Sequence, residues 1–222
     1  MVYYEKKYPY LSYRGLHPSG AWFTMYSIPA RGLFEMYGAR MGEKPRSFFD
    51  CGAATGKIMA QAEELGVKAE GIDIFEYPHI CSSDNVDFER MHAGKKVVVF
   101  AGDMPEEFRP LPQKDKIEIV SLLERKEPVT ADLVYCNGTL TYFNEKNIDA
   151  ALGRFLSAKM LIAIHDTKED VKAAQKMGEV LHPAETRMIK SRSWWMKRFE
   201  GAGFDVDFDG KYGCFCAVTR GR

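Results

Sequence analysis

Three carboxylates, each closing an apolar run, define the chemistry this sequence can offer. The first lies in Phe48-Phe49-Asp50-Cys51-Gly52-Ala53-Ala54-Thr55-Gly56-Lys57-Ile58-Met59, which reads as a strand end, a turn of small residues and a helix start. Gly52 and Gly56 remove Cβ atoms where the chain turns tightly and a ligand can lie against backbone, and the helix start offers free N–H groups to an anionic end. A dinucleotide turn reads G-x-G-x-x-G. Here the pattern is Asp-x-Gly-x-x-x-Gly, with Ala54 where a middle glycine often stands. A carboxylate at the mouth of the turn is ill suited to a pyrophosphate and well suited to a ligand carrying an ammonium and a sulfonium.

The second run ends in Gly71-Ile72-Asp73, and Asp73 stands 17 positions beyond Gly56, close to the spacing of about 20 at which an acid binds ribose hydroxyls in doubly wound folds. The third ends in Phe100-Ala101-Gly102-Asp103-Met104. Any one of these acids is also what a helix cap or a turn would use; their joint occurrence at three strand ends favours a shared nucleoside ligand. On the far side of the chain, His165 and Asp166 follow another apolar run, and Asn137 and Tyr142 flank a Gly138-containing loop. His165 and Asp166 are candidates for taking a proton from an acceptor, against the plainer reading of a helix cap with the imidazole bonded in the turn.

The elements that must position these residues follow from the pattern of apolar runs. Runs rich in β-branched residues alternate with helical stretches, which predicts βαβ units and a mostly parallel sheet with helices on both faces. Strands are expected at Ser47–Asp50, Val67–Asp73, Val97–Gly102, Asp132–Asn137, Met160–His165, Phe204–Phe208 and Cys214–Thr219. Helices are expected at Lys57–Leu65, Ile117–Arg125, Glu145–Ala158 and Ser193–Ala202, the third capped by Asn144 and the last ended by Gly201 and Gly203. Residues 1–46 read as an N-terminal extension or lid ahead of a ligand-binding domain over 47–222. Within that extension the aromatic, glycine-containing stretch Tyr3–Gly42 suits either a cap on the sheet or a cover for a substrate pocket.

Composition excludes several classes. The 31 basic residues balance 31 acidic ones, so no net charge drives generic nucleic-acid binding. The apolar stretches fall short of the ~20 residues a membrane helix needs. Five scattered cysteines suggest a reducing cytoplasm, with Cys214 and Cys216 as buried strand filler and no zinc site.

The order of the motifs resembles the class I (Rossmann-like) methyltransferase superfamily, which uses S-adenosyl-L-methionine, from about Ser47 to Thr219. The resemblance implies a seven-stranded sheet with an antiparallel last strand. It implies that Asp50, Gly52, Ala54 and Gly56 face the methionine part of the cofactor, that Asp73 with Ile74 holds the ribose, and that Asp103 with Met104 meets the adenine. Asn137 belongs to the loop closing the sulfonium end, and Tyr142 stands where many small-molecule members carry His. The implied acceptor is an O or N atom of a small molecule, since no Asp/Asn-Pro-Pro-aromatic tetrad or Pro-Cys pair marks base methylation. A non-catalytic nucleoside-binding or regulatory subunit, and an NAD-dependent oxidoreductase, are the alternatives.

Overall fold

The structure, a computed structural model, describes residues 28–53, 56–73, 116–176 and 188–221. The elements are α1 (Ala30–Met41), β1 (Ser47–Cys51), α2 (Lys57–Glu64), β2 (Lys68–Asp73), β3 (Ile117–Ile119), β4 (Leu133–Asn137), α3 (Ile148–Gly153), β5 (Met160–Ile164), α4 (Lys168–Lys176), α5 (Arg192–Ala202), β6 (Phe204–Asp209) and β7 (Cys214–Thr219). The strands form one seven-stranded sheet in the order β3-β2-β1-β4-β5-β7-β6. The first five run parallel, and β7 lies antiparallel between β5 and β6.

The central strands read as near-continuous apolar runs because both of their faces are covered. Alternation sorts their side chains. Phe48, Leu133, Tyr135, Met160 and Ile162 face the layer formed by α1 and α2, while Phe49, Val134, Cys136, Leu161 and Ala163 face that of α3 and α5. On the first face Leu33, Phe34 and Tyr37 of α1 are buried, and Phe34 meets the edge of Phe48 at 6.0 Å. The part of the aromatic N-terminal stretch that the structure describes is thus a helix packed on the sheet, closed by Gly42 at φ 72°. On the second face Trp195, Phe199, Phe204 and Phe215 interlock. Cys214 and Cys216 are buried free thiols, as strand filler would be.

Two expected helices need correction. Ile117–Arg125 is not a helix: Ile117–Ile119 pairs with Gly71–Asp73 as β3, followed by turns. The alternation of a buried Ile117 with an exposed Glu118 suits a pleated edge, and β-branched residues lose little there. Arg125 then folds back, bonding Glu118 at 3.0 Å and the carbonyls of Glu127 and Pro128, with its guanidinium over Phe49. Glu145–Ala158 is helical only over Ile148–Gly153, preceded by a short 3-10 turn and followed by tight turn bonds such as Phe155 N–H to Leu152 O. Gly153 weakens the helix, and Phe155 and Ala158 reach the core from turns. Asn144 makes no side-chain cap bond. Ser191 caps α5 through Trp194 N–H, and Gly203, at φ 108°, ends that helix, whereas Gly201 lies inside it. The strand expected at Val97–Gly102 lies outside the described residues; the place beside β2 belongs to Ile117–Ile119.

Strand order reverses between β1 and β4, whose partners β2 and β5 lie on opposite sides. In open α/β sheets, ligands collect at the carboxyl ends of the strands beside such a reversal. Asp50, Asp73, Asn137 and His165 all stand at carboxyl ends around it.

Candidate functional site

The site is built on the β1 turn. Past Asp50 and Cys51, Gly52 adopts φ 87°, and the N–H groups of Gly52 and Ala53 both donate to Ile72 O, at 2.8 and 3.0 Å. The turn is thereby strapped to β2. Gly56, at φ 80°, starts α2 without a side-chain cap, which leaves the helix N-terminus available to an anionic group.

Two residues that the sequence reading passed over hold this turn. A Cβ on Gly71 would meet Met59 Sδ, Ala53 Cβ and Asp50 O at 2.8–2.9 Å, so only glycine lets β2 lie this close to the turn. Thr139, in the loop after β4, donates from Oγ1 to Cys51 O at 2.8 Å, and a Cβ on Gly52 would sit 2.1 Å from that oxygen. The same loop is fixed by Gly138 N–H to Ile164 O at 2.7 Å and by Thr141 Oγ1 to Gly138 O at 2.6 Å. The ends of β1, β2, β4 and β5 are thus tied into one rim.

Asp50 is buried at 3 % exposure, and Asp73 is buried at the end of β2. Burial, with the charge of Asp73 adding to it, pushes the Asp50 carboxyl up to about 8. No cation or hydrogen-bond donor among the described residues meets Asp50. A buried acid in that condition stays protonated or pairs with a donor or cation beyond the described residues, such as a bound ligand. Asn137 is partly buried where β4 ends, and Tyr142 half-buried in the short 3-10 turn that follows.

His165 turns away from the carboxylates into the α5 layer. Its ring lies 4.0 Å from that of Trp195 and stacks on Phe215 at 4.9 Å. Neither ring nitrogen has a hydrogen-bond partner among the described residues. Burial pulls its pKa down to about 3 against the opposing charge of Asp170, so the imidazole is neutral at ordinary pH. Asp166 is half-buried beside it. The helix cap at this point is made by Thr167, whose backbone N–H and hydroxyl donate to Asp170 while its Oγ1 accepts from Asp170 N–H; Arg192 pairs with the same carboxylate. Ala54, Ile74, Asp103 and Met104 lie outside the described residues.

No family model and no curated protein sequence matches the chain. Solved structures do resemble it. The chain is similar to the 1,6-didemethyltoxoflavin-N1-methyltransferase of Burkholderia thailandensis, at 14% identity and a TM-score of 0.52 over 86% of this chain and 77% of that one. Magnesium protoporphyrin IX methyltransferase from Synechocystis PCC 6803 gives 14% identity and a TM-score of 0.51 over the same shares. The plantazolicin methyltransferase BpumL gives 10% and 0.56, over 86% and 82%. Those three structures hold S-adenosylhomocysteine or S-adenosylmethionine. The chain has the class I, Rossmann-like methyltransferase fold, with a mostly parallel seven-stranded sheet and an antiparallel β7.

Proposed function

We propose that the protein is an S-adenosyl-L-methionine-dependent methyltransferase acting on an oxygen or nitrogen of a small molecule. The observation that carries this reading is Asp50: a buried carboxyl group without a donor or cation among the described residues, beside a glycine turn, with Asp73 on the next strand. That pair favours a cationic nucleoside and disfavours the pyrophosphate of NAD. The cofactor, when bound, supplies an electrophilic methyl group on its sulfonium.

The chain's own residues divide the remaining work. Asp50 would take the ammonium group, the open start of α2 with Gly52, Ala54 and Gly56 the carboxylate end, and Asp73 with Ile74 the ribose hydroxyls. Asp103 and Met104 would meet the adenine, and Asn137 with the Gly138–Thr139 loop would close the methyl-bearing end. Transfer then needs alignment and a dry pocket more than acid–base help. Tyr142, Asp166 and His165 are the acceptor-side residues. The buried free thiols suit a reducing cytoplasm, and among the described residues no helix is long and apolar enough to cross a membrane.

Replacing Asp73 with Ala removes the acceptor for the ribose hydroxyls. It is expected to weaken S-adenosylhomocysteine binding by about 1.5–3 kcal/mol, or ten- to a hundredfold, in a protein that still folds. Unchanged affinity in equilibrium dialysis would take Asp73 out of the site, and no binding by wild type would end the methyltransferase reading.

His165 offers a sharper choice. A base held near pKa 3 accepts protons poorly at neutral pH, so it acts on the acceptor only if substrate binding changes its surroundings. His165→Ala then slows single-turnover transfer by about 10²–10⁴ with cofactor affinity intact, if the imidazole takes the proton. If it only fills the aromatic layer, the variant loses stability and keeps its rate.

A further inference from the structure

The state of Asp50 before the ligand arrives has consequences for how the ligand is held. Its carboxyl group is buried where β1 ends; among the described residues the titratable groups around it are Asp73 from β2, Tyr135 opposite it in the β1–β4 register and Cys51, next to it in the chain with its side chain on the other face of the sheet. Cys51 and Cys136 sit opposite one another in the β1–β4 register as buried thiols, and their mutual hydrogen bond, with burial adding to it, holds Cys51 protonated. Every one of these neighbours is either neutral or negative. The glycines beside Asp50 leave room that apolar and hydroxyl groups fill: Thr139 packs against Gly52, and Met59 and Ala53 pack against Gly71 in β2.

Resting on the cofactor reading above, we propose that this protein captures its cofactor by exchanging a proton for the ligand's ammonium group, with Asp50 entering the encounter as a neutral acid and leaving it as a carboxylate. The step balances simply: the O–H bond of Asp50 breaks, the proton passes to solvent, and the carboxylate accepts hydrogen bonds from the incoming ammonium. The direction of the carboxyl's shift, upward to about 8 through burial and the charge of Asp73, agrees with the geometry. The free site thus holds no uncompensated negative charge on Asp50 and admits a cation only by losing a proton. Ligands with the nucleoside but without the ammonium bind without that exchange.

The dependence on pH follows in sign and size. Below its folded-state pKa, Asp50 must be deprotonated before the pair can form, so apparent affinity rises about tenfold per pH unit and levels off near the pKa. Between about pH 5.5 and about pH 7 the ligand's α-amino group stays largely protonated, so Asp50 alone sets the slope.

Calorimetry of S-adenosylhomocysteine with the full chain, in two buffers of different ionisation enthalpy, counts the protons released. The expected result is close to one proton released near pH 6.5 and affinity about thirtyfold tighter at the upper end of the window than at the lower. Asp50→Asn should bind more weakly, with no released proton and a flat profile. Asp73→Asn, which removes the neighbouring charge, should keep the proton release but move the levelling-off to lower pH, and it serves if the Asp50 variant does not fold. Binding by wild type with no buffer dependence and no slope would overturn the exchange while leaving the cofactor reading intact. Absence of binding across the whole window would overturn that reading itself, and the exchange with it.

Discussion

Gly52→Ala is expected to lower stability by about 2–4 kcal/mol and cofactor affinity by more than tenfold. Two causes act together. The residue sits at φ 87°, where an L side chain costs about 1–2 kcal/mol. The new Cβ would also fall 2.1 Å from Thr139 Oγ1, so the hydroxyl must leave Cys51 O and the β4 loop must move. Gly42 is the control. Its φ of 72° is similar, but nothing lies within 4 Å of its Cβ position, so Gly42→Ala should carry the strain alone and leave binding untouched. Adding Thr139→Ala to the Gly52 variant should recover part of the lost stability, because the two residues share one contact and their effects are not additive. Urea unfolding of the four proteins measures this. A Gly52 variant as stable as Gly42→Ala would show that the turn yields freely and that Thr139 does not hold it.

The free protein carries a second large effect at Asp50. Its pKa is about 8 when folded, against 3.8 for the unperturbed group, so between those values the native state holds a proton that the unfolded chain has lost. A group raised in this way contributes stability that is complete below the unfolded value and fades as pH rises through the folded one. The slope is about 1.4 kcal/mol per pH unit. Asp50→Asn removes the titration. The stability of wild type relative to the variant should therefore fall steadily from about pH 4 to about pH 8, by several kcal/mol across the window. Denaturant midpoints at a series of pH values give the difference. Parallel profiles would mean that Asp50 is solvated or paired in the folded protein.

Much of this architecture was legible because the central strands are buried on both faces and so read as unbroken apolar runs. The β1 turn was legible for a different reason, since Gly52 and Gly56 stand where positive φ is required. β3 was not. Ile117, Val120, Leu122 and Leu123 satisfy a helical spacing as well as a strand's, and what decides between them is pairing with Gly71–Asp73, far away in sequence. Thr139 was missed because its hydrogen bond reaches Cys51 across 88 positions, a relation no local pattern encodes. His165 could be read as a titratable residue at a strand end. Its direction could not, because the ring is placed by Trp195 and Phe215 from two other elements.

On the proposed function, the β1–β2 rim holds a nucleoside that carries an ammonium group. Calorimetric titration of the protein with S-adenosylmethionine, S-adenosylhomocysteine and NAD under one set of conditions tests it directly. The expected result is saturable one-to-one binding of the two sulfur nucleosides and at least tenfold weaker binding of NAD, whose pyrophosphate would face the Asp73 carboxylate and which brings no ammonium group to Asp50. Binding of NAD as tight as either sulfur nucleoside would contradict it.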